Sequence, residues 1–317
     1  MVRPWFRRYA VFALAWTLAV ILWGAYVRAS GSGAGCGAHW PNCNGELIPR
    51  SPTMQTLVEY THRATSGLAL LSVIVLLIGA LTSTPSGHPA RKFAGASLFF
   101  MLTEAAVGAL LVKAELVANN ATASRAAAMS IHLINTFALV AVMTLTVFHA
   151  FRDPARQSAS WTGRGARLQL GVLALLLVTV VGVSGAIAAL GDTLVQHSVH
   201  NAFVDVLIQL RIFHPLIAIG GVAAGIGTGA LAWVIEDARK WIVALWTFLV
   251  LQVIAGLTNV ALQAPVEMQL VHLLLADAVW VCLVVVTRFV LTDPAQRLSL
   301  MSSVTGRSPS NSPSHGL

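Results

Sequence analysis

Residues 57–81 read LVEYTHRATSGLALLSVIVLLIGAL. From Leu68 onward the stretch is apolar enough to lie in hydrocarbon, yet Glu59, His62 and Arg63 stand at its start. A charged group at the centre of a membrane helix costs roughly 2.5 to 3.5 kcal/mol on insertion scales, so such residues mark function by default. Glu59 and His62 are three residues apart and share a helix face, where they can address one bound object. What that object is follows from the rest of the chain.

The chain has 317 residues, 56% of them apolar and 10% charged, with a mean hydropathy of +0.76. Soluble domains carry about 25% charged residues, so this is an integral membrane protein. About 20 residues are needed to cross the hydrocarbon core. Eight runs meet that length, at about 9–28, 57–81, 93–112, 128–150, 168–190, 207–234, 241–262 and 268–291. The first follows Arg3, Arg7 and Arg8 and has small residues near Ala29 and Ser30, like a signal peptide. Its length and its counterpart later in the chain favour a retained anchor.

Lysine and arginine set the expected orientation. With the N-terminus inside, fourteen of them fall on inner segments and six, Arg28, Arg50, Arg63, Lys113, Arg125 and Arg211, on the outer half. Both termini are therefore expected inside. The net charge of +8 then describes a basic inner face against anionic lipid, and nucleic acid is not needed to explain it. Cys36 and Cys43 fall in the first outer loop, residues 29–56, which is rich in glycine and proline. On an oxidising face this pair suggests a disulfide or reversible dithiol in preference to zinc, for which His39 alone is at hand.

The second half echoes the first at offsets near 150 residues. Glu104-Ala-Ala-Val-Gly108 answers to Gln252-Val-Ile-Ala-Gly256, Val27–Gly31 to Val181–Gly185, His62 to His214, and His132-Leu-Ile to His272-Leu-Leu. Four spans separate each pair, so the copies share orientation as a parallel repeat. The expected fold class is an all-α integral membrane protein, with eight transmembrane helices as two pseudo-symmetric four-helix bundles. The bundles are 1–150 and 166–292, joined by an inner linker at 151–165 and followed by a disordered tail at 293–317.

Of ten histidines, His88 and His149 fall at the inner boundary and His315 in the tail. His62, His132, His214 and His272 each stand four to seven residues inside an even-numbered span, at matched depth. A pair of imidazoles from facing helices of a four-helix bundle is a known way to hold haem. Two sites follow, one from His62 and His132 and one from His214 and His272. The halves differ in one respect: Glu59 and Arg63 flank His62, whereas Arg211 and Pro215 flank His214. A carboxylate beside one haem suits oxidation of a bound macrocycle, where it moves protons or stabilises a developing cation; the plain alternative is an ion pair with Arg63. Glu104 is balanced between a proton path or haem contact and a packing acid. Asp277 reads as interhelical polar glue, and His197 with His200 as surface residues on one helical face near the second site. Pro215 is expected to kink or open the sixth span.

Gly31-Ser-Gly-Ala-Gly-Cys36-Gly-Ala-His-Trp40-Pro41-Asn-Cys43-Asn-Gly45, followed by Glu59-Tyr-Thr-His62-Arg63, resembles the haem A synthase family. That resemblance covers essentially the whole chain. It implies an oxidoreductase that converts a methyl group of haem O to a formyl group by successive hydroxylations, for cytochrome oxidase assembly. It further implies Glu59 as the essential acid, and His62 and His132, with Arg63, at the substrate haem. His214 and His272 would ligate a resident haem b, and Cys36 with Cys43 would form the outer-loop redox pair. Implied partners are haem O, haem O synthase, an electron donor the sequence does not name and membrane lipid, in a bacterial or archaeal cell membrane; a homo-oligomer is compatible. Two features depart from the family pattern: the loop between the fifth and sixth spans lacks a second cysteine pair, and Pro215 stands where an arginine is common. The competing reading is a bis-histidine dihaem cytochrome for electron transfer, which leaves Glu59 and the cysteine loop without a task.

Overall fold

A computed structural model describes residues 2–152 and 165–291. Its helices are α1 (Pro4–Ala29), α2 (Met54–Ser83), α3 (Pro89–Lys113), α4 (Ala123–Ala150), α5 (Gly165–Gln196), α6 (Ala202–Leu210), α7 (Phe213–Ala232), α8 (Arg239–Ala261) and α9 (Val266–Val290). No strand occurs among the described residues; Cys43 and Glu46 form an isolated antiparallel bridge. Eight spans are long and apolar enough to cross a membrane, α6 and α7 together making the sixth. The chain is thus an all-α multi-pass membrane protein. The expected tail at 293–317 with His315, and the linker from 153 to 164, lie outside the described residues.

Polar caps, which the apolar runs cannot reveal, start the helices earlier than hydropathy alone suggests. The Thr53 hydroxyl accepts from the Thr56 N–H at 3.1 Å and opens α2, and Asn201 Oδ1 accepts from the Val204 N–H at 2.9 Å and opens α6. Each satisfies one of the free N–H groups that a helix start leaves. His88 caps α3 by accepting from the Ala90 N–H at 3.2 Å, with Pro89 following where a missing N–H costs nothing. Burial, and then Arg91 nearby, pushes the His88 imidazole down from its ordinary range and keeps it a neutral acceptor. His149 is buried and stacks on Phe93 at 5.2 Å. Because the helices begin early, His62, His132 and His214 stand deeper than the four to seven residues expected.

The sixth span breaks at Arg211-Ile212, between α6 and α7. Pro215 lies in the first turn of α7, where its ring meets no preceding helical carbonyl and its missing N–H leaves no gap. The expected local opening is present, but it precedes the proline by a turn.

Helices α1 to α4 pack together around Phe6, Val73, Leu76, Leu139 and Met143, and α5 with α7 to α9 around Ile242, Leu245, Leu283, Val286 and Phe289. Outward faces carry exposed Leu71, Ile78, Phe99, Ile219 and Leu257, the inverse of a soluble surface and the arrangement lipid favours. The two groups meet where α1 and α4 touch α5 and α9. There Trp280 Nε1–H donates to the Phe137 carbonyl at 2.9 Å, with the two rings 4.6 Å apart. At the end bearing the cysteine loop, Arg28 of α1 donates to the Ala189 carbonyl at 2.9 Å, to Thr193 Oγ1 at 2.7 Å and to Gln269 Oε1 at 2.9 Å. Asp277 is 5% exposed on α9, yet its Oδ2 has no hydrogen-bond partner among the described residues, so it does not join helices by hydrogen bonding as the sequence suggested.

Phe137 closes against Gly182, and a Cβ there would stand 2.4 Å from Phe137 Cε2 and 2.6 Å from Cζ. Since Phe137 is wedged by Trp280, Gly182→Val is expected to cost about 1–3 kcal/mol by overpacking. The check is a thermal unfolding transition in detergent, which should drop by several degrees relative to Gly220→Val, where nothing lies within reach.

Candidate functional site

The loop after α1 turns through Gly31 (φ +68°) and Gly37 (φ +59°), backbone conformations that only glycine adopts freely, and folds back onto the start of α2. Thr56 Oγ1–H donates to the Gly35 carbonyl at 2.9 Å, and a side chain at Gly35 would strike the Gln55 backbone. Cys36 and Cys43 are joined as a disulfide, and the described residues contain no cluster of three or more metal-ligating groups.

Glu59 and Arg63 hold that loop in place. The Cys36 N–H donates to Glu59 Oε2 at 2.8 Å. Arg63 donates to Glu59 Oε1 at 3.1 Å from Nε and 2.5 Å from Nη2. The same guanidinium reaches the carbonyls of His39, Asn42 and Gly37. Side-chain exposure is 11% for Arg63 and 4% for Glu59. A buried pair of this kind is costly to break from one side, about 3–5 kcal/mol, because the survivor keeps an uncompensated charge. The ion pair anticipated as the plain alternative for Glu59 is present, and it carries the loop with it.

Each of the four singled-out histidines lies over a glycine of a neighbouring helix. A Cβ on Gly24 of α1 would stand 2.8 Å from His62, on Gly108 of α3 3.9 Å from His132, on Gly185 of α5 2.9 Å from His214, and on Gly256 of α8 3.0 Å from His272. Gly24 and Gly185 therefore occupy like positions, so the echo between the first and fifth spans runs seven residues out of the register read from Val27–Gly31. The sequence signal was available in Trp23-Gly24-Ala25 against Ser184-Gly185-Ala186.

His214 and His272 face one another with ring centroids 6.4 Å apart and planes at 85°. A metal bound at about 2.0–2.1 Å to one nitrogen of each ring fits between them. His214 Nδ1 pairs with Ser184 Oγ at 3.0 Å, which orients the ring. Nδ1 of His62 and of His272 is buried with no hydrogen-bond partner among the described residues, and Nδ1 of His132 meets Glu104 Oε1 only outside hydrogen-bond alignment. Buried imidazole nitrogens without partners, beside glycines that keep the slot clear, are what a flat ligated group requires, so the residues fit haem. The structure thus brings His214 and His272 together directly, while His62 of α2 and His132 of α4 lie within one group of four helices, against Gly24 and Gly108.

Around the first pair stands a second carboxylate. Glu104 Oε1 is 3.4 Å from His132 Nδ1, within ion-pair reach though outside hydrogen-bond alignment. It is 2.5 Å from Thr136 Oγ1, while Asn135 Nδ2–H donates to Oε2 at 2.5 Å. The matching neighbour of His272 is Gln252, its Nε2 3.3 Å from His272 Nε2. His197 and His200 do not share a helical face: α5 ends at Gln196, and His197 lies against Gly31 of the first loop. Arg211 pairs with Asp192 at 2.9 Å. Sequence reasoning quoted Gly108, Gly185 and Gly256 within the repeat without giving them a role, and missed Gly24 and the tie from Arg28 to Thr193 and Gln269.

Because Arg63 and Glu59 tie down both ends of the disulfide loop, Arg63→Ala is expected to speed reduction of Cys36–Cys43 by a mild thiol. Maleimide labelling over time measures it; equal rates in variant and parent would show that the clamp does not protect the bond.

The chain matches the COX15-CtaA family, described as cytochrome oxidase assembly protein, over residues 7–284. It is 45% identical over 303 residues to a protein of Thermus thermophilus named protoheme IX farnesyltransferase, covering 92% of this chain and 49% of that protein. A protein of Alkalihalophilus pseudofirmus named heme A synthase is 35% identical over 146 residues, 46% of each chain. One of the same name from Geobacillus kaustophilus is 35% identical over 156 residues, 48% of each. The chain spans about half the length of the curated relatives it matches. The family match takes in the cysteine loop and all four of the paired histidines, and the chain belongs to the COX15-CtaA family of cytochrome oxidase assembly proteins.

Proposed function

We propose that the chain acts as a haem A synthase, oxidising a methyl group of haem O to the formyl group of haem A. The observation that carries this reading is the asymmetry between two otherwise alike sites: carboxylates stand beside His62 and His132, and only amide and guanidinium groups stand at the matching places near His214 and His272. In this reading His62 and His132 receive haem O, with Arg63 at its edge, and His214 and His272 hold haem b. The relatives named heme A synthase support the same substrate class. The farnesyltransferase name belongs to a protein half of whose length lies outside the match; we take farnesyl transfer to reside in that other half and its farnesylated haem to be what this chain consumes.

The side chains divide the work as follows. The paired imidazoles of each half would hold a macrocycle between helices, and the apolar helix faces would exclude water from it. Haem b, when bound, supplies one-electron transfer. Two successive two-electron oxidations by an external oxidant, each exchanging a C–H bond for a C–OH bond, would take the methyl carbon through the alcohol to the geminal diol, and loss of water from the diol would leave the aldehyde. Glu59 is placed to accept a proton as that carbon is oxidised, but both its oxygens are engaged by Cys36 and Arg63, so its release is coupled to movement of the cysteine loop. With N- and C-termini inside, as the charge count suggests, that loop lies on the outer face, where the disulfide is stable.

The dihaem electron carrier is the second reading, favoured by the fact that Glu59 is fully hydrogen-bonded. The two differ in product. Protein purified from cells supplied with haem O is expected to yield haem A or its hydroxylated precursor on extraction and chromatography; haem b alone, with normal oxidase assembly in a deletion strain, would overturn the synthase reading. Glu59→Gln is expected to retain haem while product formation falls by about 10²–10⁴-fold, the usual contribution of a positioned acid or base. If Glu59→Gln instead loses all haem, the residue is a structural anchor of the loop.

A further inference from the structure

Glu104 is a largely buried acid, its side chain 18% exposed, with no cation beside it. No lysine or arginine pairs with it among the described residues, and its neighbours are the Asn135 amide, the Thr136 hydroxyl and His132 Nδ1. These neighbours are themselves held. Asn135 Nδ2–H also donates to the Phe100 carbonyl at 2.9 Å, and its Oδ1 accepts from Thr103 Oγ1 at 2.7 Å. Thr136 Oγ1 is 2.9 Å from the carbonyl of His132 itself. Asn135 and Thr136 lie three and four residues after His132, on the same face of α4, so the helix that carries the imidazole also carries the groups that aim the carboxylate at it.

Glu104 Oε1 lies 3.4 Å from His132 Nδ1, outside hydrogen-bond alignment; a carboxylate oxygen at this place attracts a ring N–H, which favours the tautomer with the proton on Nδ1 and leaves Nε2 with a free lone pair. A carboxylate behind a ligating imidazole fixes ring orientation and raises ligand basicity. Gln252 stands at the matching place in the repeat, with Gly256 beneath His272 as Gly108 lies beneath His132, and it meets His272 at Nε2 where Glu104 meets His132 at Nδ1. Its amide is neutral, and its Oε1 has no partner among the described residues. Of the four histidines, His132 alone has a carboxylate at a ring nitrogen among the described residues.

We propose that Glu104 is a positioning residue for His132, holding its imidazole in one tautomer and making it a stronger donor than His272, so that this acid-for-amide difference contributes to different electron affinities at the two haem sites. The proposal rests on the reading of His62 and His132 as a haem pair. It assigns Glu104 no contact with the reacting carbon.

The test uses full-length protein in detergent, loaded with haem, comparing parent, E104Q, E104D and Q252E by redox titration followed in the visible spectrum and by haem retention. E104Q should hold haem at the first site about tenfold more weakly, the lower end for loss of such an outer partner. At a fixed potential its first-site haem should also be more reduced, while the second site is unchanged. E104D should restore part of the difference, and Q252E should shift the second site toward the oxidised form. Unchanged first-site titration and retention in E104Q overturns the proposal, as does an equal disturbance of both sites that E104D does not repair. His132→Ala separates the underlying reading: if it leaves haem content and spectra unaltered, the haem site falls and this inference with it, whereas loss of one haem in His132→Ala with a silent E104Q removes the inference alone.

Discussion

In hydrocarbon a polar group without a partner costs several kcal/mol, and the whole arrangement answers to that constraint. Backbone amides are satisfied within nine α-helices among the described residues. Polar side chains are then admitted mainly where another group meets them. Arg28 finds the Ala189 carbonyl, Thr193 and Gln269; Trp280 finds the Phe137 carbonyl; Glu59 finds Arg63 and Cys36. Exceptions remain among the described residues, Asp277 Oδ2 and the Nδ1 atoms of His62 and His272 among them, and at the two imidazoles a bound group could supply the missing partner.

The glycines explain how room is kept. An imidazole pressed on a helix that lacks a Cβ can approach the backbone and leave the bundle axis clear, and this happens at Gly24, Gly108, Gly185 and Gly256. The same contact at four places gives the two halves a common plan. Around the rings the halves differ: Glu59 and Arg63 flank His62 where Arg211 and Pro215 flank His214, and Glu104 stands against Gln252.

The cysteine loop connects this chemistry to the surface. Its disulfide, its glycine turns and its carbonyls converge on Glu59 and Arg63, so loop position and the state of the acid are one variable. Gly31 lies against His197, which brings the loop of the first half to the end of α5 in the second. The two halves therefore communicate at this end through Arg28 and His197, and deeper down through Phe137, Gly182 and Trp280.

Much of this was legible in the sequence, for a physical reason: the membrane makes charge and length expensive enough to be written locally. Eight apolar runs, four intramembrane histidines, the cysteine pair and the Glu59-to-Arg63 stretch could all be read without coordinates, as could the match of Glu104 with Gln252. What tertiary structure alone decided concerns partners brought from distant helices. The commitment of Glu59 to the Cys36 N–H, the seven-residue register shift that aligns Gly24 with Gly185, the break at Arg211-Ile212 ahead of Pro215, the Asp277 Oδ2 without a partner and the carboxylate behind His132 depend on which helix faces which, and hydropathy, which reports only where a segment lies, carries no information about its neighbours.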